Sequence, residues 1–338
     1  MLLLLSTLAL CFQLGRTQAS TAALLPIHNL TRSAHIKFEN LAIRSNGQIL
    51  ATSTVPNASI YQFDPLGILP VTLLYQISNA TNVSALGIAE GRQDVFYVAS
   101  GKVNIANPFE TDPSSYTITE IDVRGVEVAW NGTVMSKPKA KKVASLPGAS
   151  LLNGVAFARP QSNNLLVADS FRGLIWNVDI HDGSVGVTLN SSSTKGPTKS
   201  GPTFTGVNGI KEQNGTLYWT NTGANALYKV PIDKHGNMAK GAEPTIVAAN
   251  LTCDDLVIDS DGTAYVAGPL DIITRVSPSS EKRVIAGIFN STESGLVGPT
   301  AVRFGRLVSD SRSLYITTNG GLGQGAPGTA GLSRIDLR

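Results

Sequence analysis

The chain has 338 residues, 42% of them hydrophobic and only 15% charged, with a formal net charge of +3. That is long and apolar enough to bury a large core, which excludes an intrinsically disordered chain. The one basic cluster, Lys137 to Lys142, is interrupted by Pro138 and carries no interleaved aromatics, so the composition gives nucleic-acid binding no support.

Residues 1–19 read as a secretory signal, with an apolar stretch from Leu2 to Leu14 and small residues in Thr17-Gln18-Ala19 just before Ser20. No Lys or Arg precedes the apolar stretch, which leaves an uncleaved anchor as the alternative. Nothing later is long and apolar enough to span a bilayer, so a secreted or secretory-lumen protein is expected, with no membrane attachment after cleavage. Residues 20–338 are then expected to form a single domain. Asn-X-Ser/Thr sequons at Asn29, Asn57, Asn79, Asn82, Asn131, Asn190, Asn214, Asn250 and Asn290 predict N-glycosylation at exposed turns. Cys11 leaves with the signal, so Cys253 has no intrachain partner and reads as a small buried hydrophobe.

A repeat then runs along the chain: a small polar residue, a short apolar-alternating strand, a tight polar turn, and a second strand rich in aromatics. In order, the copies are Phe38–Ile43 with Gln48–Thr52, Ala85–Ala89 with Val95–Ala99, and Asn153–Phe157 with Leu165–Ser170. Asn208–Ile210 with Leu217–Asn221, Asp254–Asp259 with Ala264–Ala267, and Pro299–Phe304 with Leu314–Thr318 complete the set. Starts fall near 39, 85, 153, 208, 254 and 300, so most intervals are 46 to 55 residues. Asn46-Gly47, Asn214-Gly215 and Asp261-Gly262 are hairpin signals, because both turn residues need positive φ. No segment keeps a 3.6-residue apolar period. The pattern predicts an all-β, six-bladed β-propeller rather than two sandwiches, which would not explain a repeat near fifty residues. Lys102–Pro147, Asn190–Thr205 and Gly320–Gly331 interrupt the period as long connections.

The residue opening the innermost strand of each blade should face the central channel. That ring reads Glu39, Leu86 or a neighbour, Asn153, Asn208, Asp254 and Thr300, with Asp255 competing with Asp254. Two carboxylates and two amide carbonyls are hard oxygen donors of the kind Ca²⁺ or another divalent ion accepts. The alternative is that each is a turn residue, since Asn and Asp tolerate unusual backbone angles.

Glu39, Asn153-Gly154, Asn208-Gly209 and Asp254 in successive blades resemble the gluconolactonase/regucalcin-like propellers. That resemblance implies metal ligation by Glu39, Asn153, Asn208 and Asp254, with Asp254 the first candidate for proton transfer. The sequence departs from the family at Glu39-Asn40-Leu41, where Glu-Gly-Pro is usual, and at Asp254-Asp255, where Asp-Gly is usual. The signal, the sequons, the Phe-Glu-Asn-Leu-Ala-Ile-Arg opening and the Leu-Asn-Gly-Val-Ala-Phe blade resemble secreted fungal members of the superfamily, among them hetero-Diels-Alderases of tropolonic sesquiterpenoid pathways. Such an enzyme is expected to join a tropolone quinone methide to a humulene-type sesquiterpene. Asp254 and Glu39 would then be catalytic, and Asn153, Asn208 and Thr300 would bind substrate.

Two other functions stay open on the residues: a divalent-metal-dependent lactonase or esterase, and a non-catalytic propeller that binds a small molecule or a protein. The partners expected are small-molecule substrates. No phosphate-cradling Gly loop precedes a helix, and no organic cofactor is expected. His28, His35, His181 and His235 lie at no zinc or triad spacing and read as structural or surface residues. Trp130, Trp176, Trp219 and Tyr218 are candidate rim aromatics, although an aromatic within a strand more often belongs to the core.

Overall fold

A computed structural model describes residues 23–80, 82–103, 112–197, 205–321 and 329–337. The signal-like segment therefore lies outside the described residues, as do parts of the three long connections.

An N-terminal strand β1 (His28–Ser33) precedes the first blade, which contains β2 (Lys37–Ile43), β3 (Ile49–Val55), β4 (Ser59–Phe63) and β5 (Thr72–Gln76). The second comprises β6 (Val83–Glu90), β7 (Val95–Lys102), β8 (Thr117–Asp122) and β9 (Lys139–Ser145). The third comprises β10 (Leu152–Phe157), β11 (Asn164–Asp169), β12 (Leu174–Asp179) and β13 (Val185–Leu189). In the fourth are β14 (Val207–Gln213), β15 (Thr216–Asn221), β16 (Ala226–Pro231) and β17 (Thr245–Ala249). The fifth holds β18 (Leu256–Ile258), β19 (Ala264–Gly268), β20 (Ile272–Val276) and β21 (Lys282–Gly287). The sixth takes β22 (Pro299–Phe304), β23 (Ser313–Thr318) and β24 (Ala330–Asp336), and β1 becomes its outermost strand. Among the described residues all six sheets are four-stranded and antiparallel; five are meanders in chain order, and β1 closes the sixth.

Blade packing explains why the inner strands read as continuous apolar runs. Side chains alternate along a strand, and both faces of each blade meet a neighbour. On β11, Leu165 and Val167 enter the core shared with the second blade, while Leu166 and Ala168 enter the core shared with the fourth. Six apolar clusters result, one between each pair of adjacent blades. Trp219 is fully buried in one of them, stacked on Tyr228, so it is core and not rim. Cys253 is buried in another, with its thiol pushed up to about 12 by burial, which fits an inert hydrophobe.

The lysine cluster has a structural role. Lys139, Lys141 and Lys142 lie on the outer edge strand β9, opposite Asp122, Glu120 and Thr119. Charged side chains there discourage edge-to-edge pairing with another chain. All four histidines are exposed.

Candidate functional site at the channel axis

Each innermost strand carries the same irregularity. On β2, β6, β10 and β14 two residues oppose a single residue of the next strand, namely Glu39-Asn40, Leu86-Gly87, Asn153-Gly154 and Asn208-Gly209. Just before β18, Asp254 and Asp255 do the same: the Asp254 N–H donates to the Ala267 carbonyl at 2.7 Å, and the Ala267 N–H donates to the Asp255 carbonyl at 2.9 Å. On β22 the extra residue is Thr300. Bulges of this kind re-aim a side chain, and here they fall at the six predicted ring positions. At the second bulge position glycine is required by close approach of backbones. A Cβ on Gly154 would sit 2.6 Å from the Asn208 carbonyl oxygen, and one on Gly87 would sit 2.2 Å from that of Asn153.

Ties between neighbouring blades hold the ring. The Gly209 N–H donates to the Asp254 carbonyl at 3.3 Å, the Asp255 N–H to the Thr300 carbonyl at 3.1 Å, and the Thr317 hydroxyl to the Glu39 carbonyl at 3.3 Å. The Thr220 hydroxyl also donates to the Asp254 carbonyl.

The predicted ring residues are not equivalent. Glu39 and Asp254 are half-buried, and both carboxyls are raised. Burial, and then the Asp255 charge, push Glu39 up to about 7. Asp254 is held well above the usual carboxylate range by burial, by Glu39 and by Asp255, with partial relief from the Asn208 side chain. Asn208 donates from Nδ2 to the Thr222 hydroxyl at 2.9 Å, while its Oδ1 is buried without a partner. Asn153 is 7% exposed. Leu86 instead packs in the core between the second and third blades. Thr300 is 1% exposed, and its hydroxyl is committed to Phe38 and Thr317, so it braces the closure between the sixth and first blades rather than offering a free group to a ligand.

The sequence left Asp254 and Asp255 as competitors, and the structure separates them. Asp255 is 2% exposed and accepts from the Leu256 N–H at 2.7 Å, Asn40 Nδ2 at 2.9 Å, Lys211 Nζ at 3.1 Å and an Arg303 terminal N–H at 2.8 Å. Burial alone would raise its carboxyl, but the charges of Arg303 and Lys211 and the hydrogen bonds they make hold it below the usual range. Asn40, Lys211 and Arg303 were not singled out by the repeat. Asn40 and Asp255 occupy the bulge position that is glycine in the second, third and fourth blades, and that substitution is the signal that marks them.

The donor set fits a hard divalent cation on two observations. Two acids raised by burial and by neighbouring carboxylates sit at ring positions, and Asn208 Oδ1 is an orphaned buried acceptor that a cation would satisfy. Among the described residues, no group of three or more His, Cys, Asp or Glu side chains could hold a metal ion, so any such site depends on the amides.

No protein-family model matches the chain. It is 26% identical over 306 residues to a provisionally named hetero-Diels-Alderase of a Phoma species, covering 83% of each chain. It is 27% identical over 318 residues to a second provisionally named hetero-Diels-Alderase, from Sarocladium schorii, covering 86% of this chain and 77% of that one. The resemblance read from the residues is borne out. Among solved structures, the fold is similar to a luciferin-regenerating enzyme, with a TM-score of 0.63 at 12% identity and coverage of 93% and 95% of the two chains. A calcium-binding protein, regucalcin, from Agrobacterium tumefaciens gives 0.58 at 14% identity, covering 93% and 96%. A gluconolactonase from Xanthomonas campestris gives 0.58 at 14% identity, covering 95% and 93%. These likenesses show the fold, a β-propeller.

Proposed function

We propose that this chain is a hetero-Diels-Alderase of fungal secondary metabolism, joining a tropolone quinone methide to a humulene-type sesquiterpene. The observation that carries the reading is its similarity, over most of its length, to two proteins of that name.

The reaction has two stages. In the first, a hydroxymethyl tropolone accepts a proton on its hydroxymethyl oxygen, the C–O bond breaks, water leaves, and the ring hydroxyl gives up its proton. The product is a neutral quinone methide. In the second, its four-π oxadiene adds to an alkene of the polyene, forming one C–C and one C–O bond with no net oxidation. The first stage needs an acid and a base within reach of one substrate. Glu39 and Asp254 supply such a pair, because two acids in one buried ring do not ionise together easily and one keeps its proton near neutral pH. Asp254, whose carboxyl is raised by burial and by both Glu39 and Asp255, is assigned as the acid and Glu39 as the base. The second stage needs orientation and exclusion of water, which the cross-strand ties around the channel favour by keeping it rigid.

A divalent cation held by Glu39, Asn153, Asn208 and Asp254 would polarise a bound oxygen. The same carboxylates cannot hold both the shared proton and the cation, so chelation separates the two chemistries. The metal-dependent lactonase is the second reading, favoured by this donor set. The deciding experiment incubates purified protein, with and without chelator, with a hydroxymethyl tropolone plus a humulene-type alcohol, and separately with aldonolactones. Stereoselective adduct with inert lactones supports the cycloaddition. Chelator-sensitive lactone opening without adduct overturns it.

A secreted, N-glycosylated protein belongs to the same proposal. Eight of the nine sequon asparagines are exposed, while Asn57 is half-buried and accepts a hydrogen bond from Ser59 of its own sequon at 2.8 Å. No helix among the described residues is long and apolar enough to cross a membrane. Glycopeptide mapping of secreted protein should find sugar at exposed sites and not at Asn57. Recovery of the protein only as an unglycosylated intracellular form would remove this part of the reading.

A further inference from the structure

A second ring lies three residues beyond the first. Ala42, Ala89, Ala156, Lys211, Val257 and Arg303 each follow the ring residue of their blade by three positions, and all six line one cavity of about 330 Å³ at the other mouth of the channel. The spacing follows from the bulge, which adds one residue to the period of two that returns a side chain to the same face.

The ring is lopsided. Alanines from the first three blades leave room on one side, while Lys211 and Arg303 place two cations on the other, flanking Val257. The walls beyond are apolar, from Ile43, Ile88, Val155, Phe157 and Phe304. At the rim the charges are matched one to one, Glu90 with Arg306 and Glu212 with Arg159. At the floor they are not, since Asp255 is the single carboxylate facing both Lys211 and Arg303. Glu39 and Asp254 belong to the other ring, and neutralising them by protons or by a cation leaves the floor with one positive charge in excess. That excess, after burial, is part of what brings Lys211 down to about 8.

Of the two cations, Arg303 keeps a spare donor. Lys211 spends its ammonium on Asp255 and the Ile210 carbonyl. Arg303 spends its four terminal N–H groups on the Leu256 and Val302 carbonyls, Asn40 and Asp255. Lysine has three N–H donors and arginine five, so Lys211 has an acceptor for each of its donors, while Nε–H on Arg303 has no protein acceptor among the described residues.

We infer that this second mouth binds a planar monoanion with two adjacent oxygens on an apolar ring, its oxygens on Lys211 and Arg303 and its ring over the alanine side. The cavity has the volume of a small-molecule site. In its choice of ligand the inference rests on the proposed function, and it goes beyond it: Glu39 and Asp254 belong to the other ring and do not line this cavity, so this mouth holds the acidic tropolone partner apart from the acid pair.

Calorimetric titration of the full, glycosylated protein with tropolone and with tropolone methyl ether tests it. Tropolone should bind, and the ether, which has no acidic proton, should bind roughly tenfold or more weakly, the worth of one charge-assisted hydrogen bond. Lys211→Met should weaken tropolone binding by about the same factor. Ala89→Trp fills the alanine side without touching the ionic cluster, so it tests the site even where the lysine variant fails to fold, and it should abolish binding. Absent tropolone binding, equal binding of the ether, or unaltered binding in Ala89→Trp overturns the inference. Adduct formation by a wild-type protein whose tropolone binding ignores Ala89→Trp would sink the inference and leave the cycloaddition standing. Binding as expected without any adduct would do the reverse.

Discussion

Asp254 and Asp255 are adjacent in the chain and belong to one bulge, yet their carboxyls move in opposite directions. Burial raises both. The difference lies in what surrounds them: Asp255 has two cations, an amide and a backbone N–H, whereas Asp254 faces a second acid and draws relief from Asn208 alone. The same contrast separates the two mouths of the channel, one ringed by acids in want of a proton or a cation, the other by cations short of one anion. Reactivity in this propeller therefore depends less on how deeply a group is buried than on how completely its neighbours answer its charge.

The most drastic way to break the contrast is to remove the answered acid. Asp255→Ala leaves Lys211 and Arg303 buried without a counter-charge, which should cost about 3–5 kcal/mol and appear as a large drop in melting temperature by calorimetry. Unchanged melting would mean that the floor is not an ionic brace. Asp254→Asn should instead fold normally and lower the rate of adduct formation roughly 10²–10⁴-fold, the usual worth of a positioned acid or base. A variant that keeps full activity would remove Asp254 from the chemistry.

Glu39→Gln sharpens the comparison through pH. The folded chain keeps the Glu39 proton up to about 7, against 4.5 for the ordinary value, so this group's stabilising contribution is complete below about 4.5 and is lost as pH rises through about 7. The wild type should therefore lose melting temperature across that window in chelator, and Glu39→Gln should flatten the slope. A smaller effect concerns calcium. Because a cation needs both acids ionised, it should raise the melting temperature more at pH 8 than at pH 6, the stabilisation reaching about 2.7 kcal/mol where the ion is in hundredfold excess over Kd. A pH-independent shift would place the ion elsewhere. Smallest of all, Trp130→Ala, at an exposed residue, should change stability by about 0.5 kcal/mol or less.

Much of this was legible in the residues. Each blade's first two strands announced themselves because apolar alternation and Asn-Gly or Asp-Gly turns are local signals. The outer strands were harder: β13 and β17 have exposed valine, glycine and isoleucine where a buried face would show a cleaner period. Asp254–Asp259 reads as one strand, but pairing starts only at Leu256, because the Asp254-Asp255 bulge precedes it. The first ring could be read since its members open repeats. Lys211 and Arg303 could not, because their shared phase appears only once a bulge is known to add a residue to the period of two.

The pairing of β1 with β24 sets a schedule. Arg32 reaches Ser333, 301 positions further along the chain, so the sixth blade is built from segments made at opposite ends of synthesis. Glu39 stands on the first blade to emerge, but the hydroxyl that holds its carbonyl belongs to Thr317. A ribosome must thus make the last strand before the first blade can be held against the sixth, so the ring at the axis is closed only by residues from the end of the chain.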